Sequence, residues 1–125
     1  MFLELKTIIV SSIVFISIDF IYLNLITSFF KKQVQDIQHS PMKLNYIGAI
    51  VSYFFLILAI YYFILSRASN ISIMDAFLLG LCIYGVYEGT NYALFKNWYP
   101  TTVIIDTLWG GILFALTTYI TKKII

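Results

Sequence analysis

Four apolar stretches, each about as long as a helix needs to cross a bilayer, constrain this chain more than any motif in it. They run from about Leu5 to Phe30, Met42 to Leu65, Ile73 to Phe95 and Thr101 to Ile120. About 20 helical residues span a hydrocarbon core. Polar or basic residues close each run: Lys31 and Lys32, Ser66 and Arg67, Lys96, and finally Lys122 and Lys123. The runs use most of the 125 residues, so an extramembrane domain has no room. The expectation is a single integral membrane domain over 1–125, an all-α transmembrane four-helix bundle. Its helices are expected at about 5–30, 41–66, 73–96 and 100–121.

Composition agrees with that reading. Charged residues are 11% of the chain and hydrophobic ones 61%, whereas soluble domains carry about 25% charged residues. A soluble enzyme is excluded, because too few charges exist to build a water-facing surface. The net charge of +2 leaves no basic footprint for nucleic acid. Cys82 is the one cysteine and His39 the one histidine. Neither a disulfide framework nor a metal cluster follows from them, and no motif implies a cofactor. The partners expected are the lipid bilayer, a proton or small cation, and a second copy of the chain in a homo-oligomer.

Local chemistry marks the helix ends. Ser40-Pro41 reads as an N-cap followed by proline at the first helical position, and Ser72 to Asp75 has capping-box spacing. Trp98-Tyr99-Pro100 reads as a tight turn with interfacial aromatics, which makes the third and fourth spans antiparallel neighbours. The segment from Lys31 to Pro41 reads as the longest polar connector. The first span lacks a small-residue cleavage site and carries Asp19 in its middle, so it reads as a span rather than a signal peptide. Orientation is a tie: Lys6, Arg67, Lys122 and Lys123 fall on the face holding both termini, and Lys31, Lys32, Lys43 and Lys96 on the other. An even number of spans places both termini on one side.

All eight basic residues lie outside the spans or at their very ends, as Lys6 and Lys43 do, but Asp19, Glu88 and Asp106 lie inside them. A central aspartate costs about 2.5–3.5 kcal/mol even on the lenient insertion scale. At about 1.5 Å per helical residue, the three sit roughly 16, 12 and 9 Å from the same membrane face. Helical spacing aligns Tyr84, Glu88 and Asn91 on the third span, Asp106, Trp109 and Gly110 on the fourth, and Asp19 with Tyr22 on the first. The donors on hand are tyrosine hydroxyls, the Trp109 indole and the Asn91 amide, all neutral. The acids therefore need protons, a cation or a cationic ligand to offset their charge. Hydrogen-bond glue between helices is the plainer alternative. Gly85, Gly89 and Ala93, Gly110 and Gly111, and Gly48 with Ser52 read as small residues for ordinary close packing.

At these residues the chain resembles a family of small predicted four-span membrane proteins, domain of unknown function 2177. The resemblance rests on Asp19-Phe-Ile-Tyr22-Leu23, on Tyr87-Glu88-Gly-Thr90-Asn91 with Trp98-Tyr-Pro100, and on Asp106-Thr-Leu-Trp109-Gly110. It covers essentially the whole chain, with Glu88 in place of the usual aspartate and Tyr99 inserted between Trp98 and Pro100. It implies a four-span membrane protein whose signature residues include the three acids, and no activity. The expected site is Asp19, Glu88, Asn91, Asp106 and Trp109, supported by Tyr22, Tyr84, Tyr87, Thr90 and Gly110. Its expected role is binding or translocating a proton, cation or small cationic solute. A structural protein with a buried polar network is the alternative, and a small membrane enzyme acting on lipid or isoprenoid a further one.

Overall fold

The structure is a computed structural model that describes residues 2–125. Four α-helices follow one another: α1 over Phe2–Gln38, α2 over Tyr46–Phe63, α3 over Ile73–Leu94 and α4 over Pro100–Ile124. A short 3-10 helix, Leu65–Asn70, follows α2, and no strand occurs among the described residues. Each of the four α-helices supplies a segment long and apolar enough to cross a membrane, as the four runs require.

The boundaries shift where side chains find better partners. α1 is 37 residues long, or about 55 Å at 1.5 Å per residue, well beyond a hydrocarbon core of about 30 Å. The expected connector from Lys31 onward is thus mostly helix. Gln33 and Asp36, one turn apart, explain why. Gln33 Oε1 accepts the Tyr99 backbone N–H at 2.8 Å, and the Tyr99 hydroxyl donates to Asp36. The helix ends where His39 turns left-handed at φ 59°, and Gln38 donates to the Ser40 and Pro41 carbonyls. Ser40 therefore caps nothing. α2 starts at Tyr46, where Asn45 Oδ1 accepts the Gly48 N–H at 3.2 Å, five residues after the expected start at Pro41. The Ser72 cap holds: its hydroxyl accepts the Asp75 N–H at 3.1 Å, while the Asp75 carboxylate pairs with Arg67 at 2.8 Å.

α4 is the most buried helix and packs chiefly on α3, then on α1. Backbones touch at Gly80 and Gly110, where a Cβ on Gly80 would overlap the Gly110 carbonyl. A Cβ on Gly111 would come within 2.7 Å of the Phe77 ring. The Gly85, Gly89 and Ala93 stripe is not that contact. Gly85 would meet only Thr107 at 3.5 Å, and Gly89 faces open space. α1 crosses α4 through facing pairs that run in opposite directions: Phe15 with Phe114 (ring centroids 5.5 Å apart), Tyr22 with Trp109, and Phe29 with Tyr99. Phe15, Leu113 and Phe114 form a fully buried apolar layer. At one end of the bundle, Glu4 and Ile125 line the same recess of about 360 Å³. α2 is the least buried helix, consistent with its all-round apolar sequence.

Candidate functional site

Below the Phe15–Phe114 layer, the three acids occupy one region. Asp19 and Asp106 are each 6% exposed and Glu88 is fully buried. Asp19 receives the Trp109 indole N–H on Oδ1 at 3.0 Å and the Tyr53 hydroxyl on Oδ2. Asp106 receives the Tyr22 hydroxyl on Oδ1 at 3.0 Å. The Tyr22 and Trp109 rings stack, 4.5 Å between centroids and 14° between planes. α1 thus sends a tyrosine to the acid of α4, and α4 sends a tryptophan to the acid of α1, with the two rings locked face to face.

Glu88 receives the Trp98 indole N–H on Oε1 at 2.9 Å. Its other oxygen, Oε2, is buried without a donor, and its carboxyl interacts electrostatically with that of Asp106. All eight lysines and arginines are exposed, and among the described residues the ion pair found, Arg67 with Asp75, does not involve these acids. Among the described residues no cluster of three or more acids, histidines or cysteines has the arrangement of a metal site.

Tyr84 stands among Asp19, Asp106, Tyr22 and Tyr53, with its ring laid over Gly110, where a Cβ would overlap it. That close approach is the reason glycine sits at 110. Tyr87 lies farther out, half exposed, within the electrostatic reach of Glu88 and Asp106. Asn91 lies next to the Tyr87 hydroxyl rather than against an acid, and Thr90 is exposed. The expected cluster is therefore brought together at Asp19, Tyr22, Tyr84, Glu88, Asp106, Trp109 and Gly110, and not at Thr90 or Asn91.

Two participants escaped the sequence reading. Trp98, read there as an interfacial aromatic, turns inward to Glu88 and is only 9% exposed. The chain folds back after α3 because Asn97 takes a left-handed conformation at φ 69°, which asparagine tolerates better than most residues. An asparagine one residue ahead of the tryptophan was the available signal. Tyr53 belongs to the helix that carries no ionisable acid or base, and nothing in its own pattern marks it. The end of α1 also joins the site, since Gln33 and Asp36 hold Tyr99, the residue after Trp98.

No curated protein and no solved structure matches the chain. The sequence model of the family described as predicted membrane protein (DUF2177) matches residues 4–122, which takes in all four helices and every residue of the site. With four candidate spans and that match, the chain is a multi-pass integral membrane protein and belongs to the DUF2177 family.

Proposed function

We propose that this protein binds a proton or small cation at the Glu88–Asp106 pair inside the membrane and passes it toward one face. The observation that carries the reading is Glu88 Oε2, fully enclosed and without a donor, on a carboxyl that interacts with that of Asp106. Two carboxyl groups in that position repel unless something positive lies between them. A single proton is the smallest occupant, and it needs no further ligands. Intramembrane acids that face a bundle interior mark ion and proton paths in membrane proteins generally. Asp19 extends the acid zone along α1, linked to Asp106 by the Tyr22–Trp109 stack. Both termini lie on one side of the membrane in this reading, which the recess shared by Glu4 and Ile125 supports.

A packing role is favoured by a different observation: each acid receives a donor from another helix or from the turn beside it. The two readings part at Glu88→Gln. In liposomes holding the reconstituted protein, an imposed pH or cation gradient should dissipate several-fold faster than in empty liposomes. Glu88→Gln should return the rate to the empty level while the protein still folds. Equal dissipation by both proteins, or none by either, removes the proton and cation reading and leaves the packing role.

A further inference from the structure

α2 packs on α1 but makes little direct contact with α3, which leaves a cleft between them. A recess of about 480 Å³ occupies it and adjoins a second, of about 490 Å³, that continues between α1 and α2; the two share Ser52, Leu56, Tyr84 and Tyr87 as walls. Each volume falls within the roughly 300–1,000 Å³ of small-molecule sites. The outer walls are apolar and aromatic. At the inner end stand Asp19 and Asp106, while Glu88 is not among the walls.

Each kind of occupant can be weighed against those two ends. A lipid chain would suit the walls but leave the carboxyls without a counter-charge. An anionic headgroup would be repelled by them. A metal ion would suit the acids, yet no three of the described acids, histidines and cysteines are placed to hold one, and it would leave the apolar walls empty. A molecule with a positive centre and apolar substituents satisfies both ends. Tyrosine rings also attract a cation over their faces.

We propose that the α2–α3 cleft is a lateral binding site for lipophilic organic cations of the ammonium or phosphonium class. The charged centre lies toward Asp19 and Asp106, and the apolar substituents lie against Leu56, Tyr84 and Tyr87. Because α2 and α3 face the bilayer on either side of the cleft, such a cation enters from the membrane, where it already partitions. This inference rests on the cation-site reading above, with which it shares Asp106, and names a ligand class for Asp19 and Asp106 beside the Glu88–Asp106 pair.

The test is equilibrium binding of labelled tetraphenylphosphonium to the purified full chain in nonionic maltoside micelles, with uncharged triphenylphosphine oxide as competitor. Wild type should bind saturably, and the neutral competitor should displace the probe poorly. Asp19→Asn and Asp106→Asn should each weaken binding about tenfold, as loss of one close charge partner does. Should either carboxyl variant unfold, Ser52→Trp tests the same site from the wall. It fills the cleft with every acid intact and should also weaken binding at least about tenfold with an unchanged unfolding midpoint. Unchanged affinity in the carboxyl variants, or equally good displacement by the neutral compound, makes the cleft a seat for lipid chains and overturns the inference. Failure of saturable binding overturns it too. If Glu88-dependent flux persists without phosphonium binding, only the ligand class fails. If phosphonium binds through Asp19 and Asp106 while Glu88→Gln leaves flux unchanged, the translocation reading fails and the cleft site stands.

Discussion

Replacing Trp98 by phenylalanine removes the one donor that Glu88 has among the hydrogen bonds described. Interhelical hydrogen bonds in membrane proteins average only about 0.6 kcal/mol, with a maximum near 1.7, because the unfolded chain in the membrane finds other partners. Glu88 belongs at the upper end of that range. It is fully buried, its Oε2 already lacks a donor, and no lysine or arginine is near enough to replace the indole. A hydrogen bond to an ionised group is worth about 1.5–3 kcal/mol in water-soluble proteins, so the two ranges meet at about 1.5 kcal/mol. Trp98→Phe also loses packing area, which a double-mutant cycle with Glu88→Met separates from the hydrogen bond. Equilibrium unfolding in mixed detergent micelles should give a coupling energy of about 1.5 kcal/mol between positions 88 and 98. A coupling below about 0.5 kcal/mol, or a Trp98→Phe cost that persists in full when Glu88 is methionine, would refute the reasoning.

Three further outcomes follow from single contacts. Gly80→Ala should cost about 1–3 kcal/mol, because its Cβ overlaps the Gly110 backbone, which cannot move aside. Gly89→Ala, in open space on the same helix, should be neutral or stabilising by up to about 1 kcal/mol; unfolding of the two variants side by side checks both. Asn45→Ala should cost about 1 kcal/mol through loss of the α2 cap, and Ser40→Ala close to nothing, measured the same way. At the α3–α4 turn, the hydrogen bond from the Tyr99 hydroxyl to Asp36, with partial burial behind it, holds the Tyr99 phenol above its ordinary range. Asp36→Asn should let it ionise at lower pH, seen as an earlier onset in the alkaline ultraviolet titration. An unchanged titration curve would show that the pair does not persist in solution.

The helices were legible in the sequence because their lengths answer to a solvent of fixed thickness, but the expected polar stop at Lys31 was not a stop, since α1 continues to Gln38. Helical rise, which converts residue count into distance, also put Asp19, Glu88 and Asp106 at similar levels on their helices, and all three are buried. What periodicity could not supply was which partner each group would find. The extension of α1 past Lys31 depends on Tyr99, more than sixty residues away. The α3–α4 contact settled at Gly80 and Gly110 rather than at the more regular stripe through Gly85 and Gly89, because the antiparallel register puts those two backbones opposite each other. Trp98 and Tyr53 reach the acids from a turn and from an otherwise apolar helix, where local pattern holds no trace of a distant carboxylate.

The proposed site requires that Glu88 and Asp106 lie beside each other in the bundle with no basic side chain between them. Solid-state NMR of the protein in lipid, with carboxyl carbons of aspartate and glutamate labelled, reads this directly. A through-space correlation between the Glu88 and Asp106 carboxyl carbons, absent in Glu88→Met and unaccompanied by any lysine or arginine contact, is the predicted result. Carboxyl carbons too far apart to correlate, or either one paired with a basic side chain, would contradict it.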